Sequence, residues 1–260
     1  MRVARFTQGS DPRYALVEGD GDGAELVVIS GDPIYMPVQP TGERVRLDDD
    51  GVRLLAPVIP RSKVVAVARN YVAHAEEMQV EVPERPLLFF KPNTSVIGPD
   101  DPIVVPEWSQ RVEHEGELAV VIGKVTKDVS PEGALAHVFG YTCSNDVTAR
   151  DVQRSEVQWA RAKGFDTSCP LGPWIVLGLD TEDLEVTVRV NGERRQHGST
   201  SQMVFDIPYL VSYVSEAFTL LPGDVILTGT PAGTGPLVHR DVVEVEVEGV
   251  GTLRNPVLRR

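Results

Sequence analysis

The chain has 260 residues, 42% of them hydrophobic and 24% charged; this is enough apolar material for a full core and, at ~150 residues per domain, points to one large domain or one plus a small one. Its 38 acidic against 25 basic side chains give a net charge of −13, which argues against a sequence-independent grip on nucleic-acid phosphates and leaves carboxylates for a hard cation. Cys143 and Cys169 are too few for a disulfide framework and lack the spacing of a structural zinc site, and no signal peptide or apolar run of ~20 residues is visible, so a soluble cytoplasmic protein with no membrane or nucleic-acid partner is expected.

The first ~55 residues read as short strands interrupted by turn chemistry such as Gly19-Asp20-Gly21-Asp22-Gly23, with no cluster that suggests catalysis. Residues 1–58 are therefore read as a small accessory domain and 59–260 as the main one, the boundary falling where Pro57 and Pro60 precede an apolar run from Val64 to Ala68. Further strands are predicted over Leu87 to Phe90, Ile103 to Val105, Glu117 to Gly123, Trp174 to Leu177, Leu184 to Val190, Val225 to Thr228 and Val242 to Val247. Helices are predicted over Tyr71 to Met78, Pro131 to His137, Thr148 to Ala160 and Ile207 to Phe218. Asn191-Gly192, following the alternating Val186, Val188 and Val190, marks a two-residue hairpin turn. Strands and helices do not alternate regularly, so a doubly wound parallel sheet is disfavoured and a mainly β, α+β fold is expected.

Several segments carry residues suited to chemistry. Arg69-Asn70-Tyr71 closes a predicted strand and opens a helix on which His74 and Glu77, three residues apart, can touch; a carboxylate beside an imidazole orients it as a base, although an ordinary surface pair has the same spacing. Lys91 and Lys163 stand beside apolar residues, where surface placement is the default and a pocket lysine would meet an oxyanion or a substrate carboxylate. In an extended chain Glu113, Glu115 and Glu117 share a face, which calls either for solvent or for a cation such as Mg²⁺ among them; Gly116 would suit the close approach of another backbone. His114-Glu115 does not open a zinc-protease motif, because Leu118 stands where the second histidine belongs. Asp146 precedes a predicted helix and serves either as its cap or as a ligand, with Arg150 and Gln153 on the same side. The glycine-rich stretch Gly229 to Gly235 follows a strand but lacks the Gly-Lys-Ser/Thr ending of a phosphate loop; it is a turn, or its amides and the Thr230 hydroxyl hold a carboxylate.

Taken in order, Arg69-Asn70-Tyr71 with His74, Phe90-Lys91-Pro92, Glu115-x-Glu117-Leu118, Asn145-Asp146-x-Thr148-Ala149-Arg150-Asp151, Lys163-x-Phe165-Asp166 and Gly229-Thr230-Pro231 resemble the fumarylacetoacetate hydrolase family over about residues 60 to 257. The resemblance implies a mixed β-sandwich roll preceded by a small N-terminal domain, often a homodimer. It also implies Mg²⁺ or Mn²⁺ on Glu115, Glu117 and Asp146, with Glu113 outside the set. His74 and Glu77 become a water-activating dyad on a mobile lid, Lys163 a catalytic group beside the metal, and Arg69, Lys91, Gln153 and Thr230 substrate contacts. Ala68 departs from the glycine that relatives often carry before Arg-Asn-Tyr. The implied substrate is a 2-oxo acid, and the favoured reaction is carbon–carbon hydrolysis of an acylpyruvate or fumarylpyruvate type. Isomerisation of a 2-hydroxyhepta-2,4-diene-1,7-dioate in aromatic catabolism, oxaloacetate decarboxylation, and a non-catalytic metal- and ligand-binding role are the alternatives.

Overall fold

The apolar run read as a strand from Glu117 is the strand Gly116–Ile122 of a computed structural model that describes residues 1–9 and 11–259. Every residue of that strand is buried, because both of its faces are covered. Leu118, Val120 and Ile122 pack with Val186, Val188, Val243 and Val245 of a second sheet, while Ala119 and Val121 pack with Val64, Ala66, Val225 and Leu227. Burial on both sides explains why the segment reads as a continuous apolar stretch rather than an alternation.

The strand lies inside a twelve-stranded mixed sheet. Its neighbours are Val138–Asn145 on one side and Val225–Leu227 on the other, and the sheet continues past Val225–Leu227 through Val64–Ala68 to an edge at Leu87–Lys91. In the other direction Val138–Asn145 pairs with Cys169–Val176, which pairs with Arg2–Gln8 through Arg2↔Val176 and Val3↔Ile175. The first 55 residues thus extend the same sheet, while Phe6, Ala15, Val17, Leu26 and Val28 form a small core of their own.

A five-stranded sheet packs across the first, in the order Glu193–Ser199, Glu185–Val190, Val242–Val247, Gly251–Arg259, Ile103–Val105. Its hairpin turns at Asn191 and Gly192, whose φ values of 54° and 81° are the positive pair that a tight two-residue turn requires. The helix Ile207–Ala217 adds Ile207, Leu210, Val211 and Val214 to the main core and is capped by Asp206, whose carboxylate accepts from Tyr209 N at 2.8 Å. The architecture is the mainly β, α+β fold expected from the order of elements, with the mixed sheets of the roll that the resemblance implies.

Two local expectations change. The helix predicted over Thr148 to Ala160 is a short strand Thr148–Ala149, a helix Arg150–Ser155 and a separate turn of helix Ala160–Lys163. Thr148 and Ala149 pair with Glu113 and Val112, which holds them extended and delays the helix. The strand Val138–Asn145 was expected only as a strand leading into Ser144, without bounds, because Gly140, Thr142, Ser144 and Asn145 interrupt the apolar signature; its central place in the sheet is a tertiary effect. Both cysteines are buried, and burial pushes their thiols up to about 12, as for packing residues. No helix among the described residues is long and apolar enough to cross a membrane.

Candidate active site

Antiparallel pairing assembles the acidic cluster. Gly116 lies opposite Asn145, Asp146 N donates to the Glu115 carbonyl at 2.8 Å, and Asn145 Oδ1 accepts from Glu115 N at 3.0 Å. The chain that leaves one strand is thereby fastened to the chain entering the next, and Glu115, Glu117 and Asp146 each place a carboxylate oxygen within 4.8 Å of the others, all three buried.

Glu113 is not among them. The strand Val112–His114 belongs to a small three-stranded sheet and ends before Glu115, so simple alternation does not carry across the break. The Glu113 carboxylate instead accepts from Arg150 Nε at 2.6 Å and Arg111 Nε at 2.5 Å. Asp146 is not a helix cap either: Ala149 precedes the helix Arg150–Ser155, and both Asp146 oxygens are engaged by lysines. Gly116 makes room for side chains rather than backbone, since a Cβ there would lie 2.2 Å from Val188 Cγ2.

Surface placement, the default for Lys91 and Lys163, is overturned for both. Lys163 Nζ donates to Glu115 Oε2 and Asp146 Oδ2, each at 2.6 Å, and Lys91 Nζ donates to Asp146 Oδ1 at 2.6 Å and to the Lys163 carbonyl. Arg150 spans Glu113, Glu115 and Gln153, the last two at 2.6 and 2.7 Å. Burial alone would raise the Glu115 carboxyl, but Lys163 and Arg150 outweigh it and hold the group well below the usual range. Glu117 differs. Among the described residues its carboxylate has no ion pair and one hydrogen bond, from Gly229 N at 2.7 Å, and burial together with the Asp146 and Glu115 charges pushes it well above the usual range.

That asymmetry tests the fit of a divalent cation. Three convergent oxygen donors suit Mg²⁺ or Mn²⁺, and a buried carboxylate with no counter-charge beside two others is the arrangement such an ion relieves. The residues present fit the ion.

The helix Val72–Glu77 brings the second group. His74 Nδ1 lies 3.3 Å from Glu77 Oε2, and the Glu77 oxygens each accept from Gly233 N at 3.1 Å. Amides of the Gly229 to Gly235 loop therefore hold carboxylates of this same chain, Glu117 at one end and Glu77 at the other. Gly233 is needed there: its φ is 99°, and a Cβ would meet the Arg195 carbonyl at 2.2 Å. The loop is stitched to the acidic strand by Gln196, which sequence reasoning missed. Gln196 Oε1 accepts from Gly116 N at 3.0 Å and pairs with His114 Nδ1 at 2.9 Å, while Nε2 donates to Thr230 Oγ1 and the Pro231 carbonyl at 2.8 and 2.6 Å. The signal was available in register, since Gln196 lies opposite the core residue Val188 across a predicted hairpin.

A cavity of about 240 Å³ opens onto Glu115, Glu117 and Asp146 and is also lined by Arg69, His74, Gln153, Lys163 and Thr230. This is slightly under the ~300 Å³ at which drug-sized sites begin, and suits a small metabolite. Glu77 sits behind His74 and Lys91 behind Asp146, so neither lines the cavity directly.

Residues 63–258 match the family model described as fumarylacetoacetate (FAA) hydrolase C-terminal, and residues 1–57 match one described as Rv2993c-like, N-terminal. Protein Rv2993c of Mycobacterium tuberculosis is 47% identical over 100% of this chain and 99% of its own length. The human mitochondrial oxaloacetate tautomerase FAHD2A is 45% identical over 86% of this chain and 72% of its own. Among solved structures, 5-carboxymethyl-2-hydroxymuconate delta-isomerase from Mycobacterium smegmatis superimposes with a TM-score of 0.93 at 49% identity, covering 100% of both chains. Fumarylpyruvate hydrolase from Pseudomonas aeruginosa, solved with Mn²⁺ and pyruvate, gives a TM-score of 0.73 at 32% identity over 78% of this chain and 91% of that one.

Proposed function

The chain belongs to the fumarylacetoacetate hydrolase family, and from that membership we propose that it is a divalent-metal-dependent enzyme of 2-oxo acids that hydrolyses a carbon–carbon bond of an acylpyruvate or fumarylpyruvate type of substrate. The observation that carries this reading is a histidine backed by a carboxylate and a carboxylate triad, the histidine and the triad lining one cavity. Glu115, Glu117 and Asp146 would hold Mg²⁺ or Mn²⁺, which when bound supplies Lewis acidity toward the carboxylate and 2-oxo oxygen of the substrate. A solved relative that carries Mn²⁺ and pyruvate supports that choice of ion and head group.

The remaining work falls to side chains of this protein. Glu77, fixed by the Gly233 amide, accepts the Nδ1 proton of His74 and leaves the Nε2 lone pair free. His74 then takes a proton from water as the water oxygen adds to the C4 carbonyl, and the Lys163 ammonium meets the negative charge that develops. The C3–C4 bond breaks with its electron pair moving to C3, and the proton held on His74 completes the pyruvate methyl group. Arg69, Gln153 and Thr230 position the substrate, and Lys91 positions Asp146. Residues 1–58 form the accessory part and 59–260 the catalytic part of a cytoplasmic homodimer, a state that sedimentation of the purified protein checks.

A second reading, isomerisation of a dienoate through the same enolate, is favoured by the full-length likeness to a 5-carboxymethyl-2-hydroxymuconate delta-isomerase. It uses the same dyad to move a proton along the carbon chain without adding water. Acetylpyruvate, fumarylpyruvate, oxaloacetate and a hydroxydiene diacid, assayed with Mg²⁺ or Mn²⁺, separate the readings by product. Turnover lost in His74→Ala is expected; binding of all four without turnover of any would leave a ligand-binding protein and end the enzyme reading.

A further inference from the structure

Glu113, the acid that the triad leaves out, belongs to a ladder of alternating charge that leads away from the triad to a second cavity. Glu115 Oε1 accepts from Arg150 Nη2 at 2.6 Å, Arg150 Nε donates to Glu113 Oε2 at 2.6 Å, and Glu113 Oε1 accepts from Arg111 Nε at 2.5 Å. Glu115, Arg150 and Glu113 are buried, and Arg111 is exposed. Arg150 N also donates to the Arg111 carbonyl at 2.7 Å, so backbone ties the two arginines as well.

Arg111 lines a cavity of about 310 Å³ beside the strands Val112–His114 and Gly251–Arg259. Val105, Val112 and Leu237 give it apolar walls; its charged or titratable side chains are Arg111, His239 and Arg259, and no carboxylate lines it. In a chain of net charge −13 a cleft lined by basic groups alone is the exception, and low-dielectric walls concentrate its field. Its donors are largely unclaimed. Among the described residues the Nη atoms of Arg111 make no hydrogen bond, and Arg259 Nη2 reaches only the Ser109 carbonyl, at 3.4 Å. His239 Nδ1 accepts from Arg259 N at 3.1 Å, which in the neutral ring puts the proton on Nε2 as a further donor.

We propose that this second cavity binds a small organic anion, a carboxylate on a short aliphatic body, and that its occupation reaches the triad through Glu113 and Arg150. The carboxylate meets the guanidinium groups of Arg111 and Arg259, and the carbon chain lies on the apolar walls. An anion there competes with Glu113 for Arg111. Glu113 then leans on Arg150 alone, Arg150 loosens its hold on Glu115, and the Glu115 carboxylate is freer to ligate a cation. Anion and cation therefore tighten one another by the same factor. The coupling rests on reading Glu115 as a metal ligand; the anion site does not.

Butyrate is the probe, and 1-butanol is its uncharged counterpart of the same chain length. Calorimetric titration of the full chain, stripped of metal on a chelating resin, is expected to show butyrate binding about tenfold tighter than 1-butanol, a preference that shrinks as salt is raised. Arg259→Ala and Arg111→Gln should each weaken butyrate about threefold or more, and Arg254→Ala, which lies outside the cavity, should not. Mn²⁺ titration, followed by the paramagnetic resonance signal of the free ion, should give a dissociation constant about fivefold lower in saturating butyrate. Glu113→Gln should keep butyrate binding and lose that gain. No preference over 1-butanol, or a butyrate affinity unmoved by Arg259→Ala and Arg111→Gln together, would overturn the site. Mn²⁺ affinity unchanged or weakened by butyrate would overturn the coupling. Failure to bind Mn²⁺ at all would instead remove the metal reading and leave the anion site standing.

Discussion

Glu117→Gln is expected to stabilise the metal-free protein and to weaken the metal-loaded one. The buried Glu117 carboxylate has, among the described residues, one hydrogen bond and no ion pair, and one of its oxygens lies within 4.8 Å of oxygens of Glu115 and Asp146. At an effective dielectric constant of ~20, two unit charges at that separation repel by about 3.5 kcal/mol, of the order of what the Lys163 ammonium returns. With its pKa pushed up, the carboxyl would escape the full cost by keeping a proton. For a group of ordinary pKa ~4.3 that costs at most about 3.7 kcal/mol at pH 7, which caps the penalty. Glutamine removes the charge and still accepts the Gly229 hydrogen bond, so the variant should gain about 2–3 kcal/mol in chelator, or roughly 5–10 °C in Tm for a chain of this size. The sign with pH follows from a folded-state pKa raised above the unfolded one: the wild type carries no penalty below pH ~4.3, where both states are protonated, and loses stability as pH rises toward the folded value. The advantage of the variant should therefore vanish in acid. Saturating metal should invert the order, since an ion at a hundred times its Kd adds about 2.7 kcal/mol to the wild type and much less to the variant. Thermal unfolding with EDTA and with Mg²⁺ or Mn²⁺ measures all of this. A variant that melts below the wild type in EDTA, or that gains as much from metal, would refute the reasoning.

Other substitutions probe the supports of the site. Gly233→Ala forces a Cβ to within 2.2 Å of the Arg195 carbonyl at a positive φ; a cost of about 1–3 kcal/mol is expected, together with faster hydrogen exchange over Val72–Glu77 as Glu77 loses its anchor, and unchanged exchange would separate the loop from the helix. Gln196→Leu leaves the Gly116 N–H and the Thr230 hydroxyl without their present partner in the interior; urea unfolding should show a loss of about 2–4 kcal/mol, and metal titration a weaker site. Lys91→Met strips Asp146 of one of its two buried cations; a loss of about 3–5 kcal/mol in chelator is expected, and an unaltered unfolding midpoint would show that Lys163 suffices alone.

Much of the roll was legible before folding was considered. Val64 to Ala68 and Val242 to Val247 were readable because their apolar or alternating patterns survive in the strands themselves, and the Asn191-Gly192 turn because only a few residues accept positive φ. Val138–Asn145 was less readable: Gly140, Thr142, Ser144 and Asn145 interrupt the apolar pattern that Val138, Phe139 and Tyr141 begin, and it becomes a strand because Gly116–Ile122 and Cys169–Val176 satisfy its backbone on both sides. The pairing of His74 with Glu77 followed from helical spacing, which is local.

What the sequence determined by itself was the inventory: a surplus of carboxylates, a helix that can present a histidine to a glutamate, and motifs whose order marks the family. What it left open were the partners. Whether Glu113 or Glu115 joins Glu117, whether Asp146 caps a helix, and whether Lys91 and Lys163 face solvent depend on contacts between residues 17 to 55 positions apart. Spacing along one strand cannot report them, because one strand ends at His114, the next begins at Gly116, and the two belong to different sheets. Only the antiparallel pairing of Gly116 with Asn145 puts three acids around one point, and only burial there makes their charge one that a divalent cation would relieve.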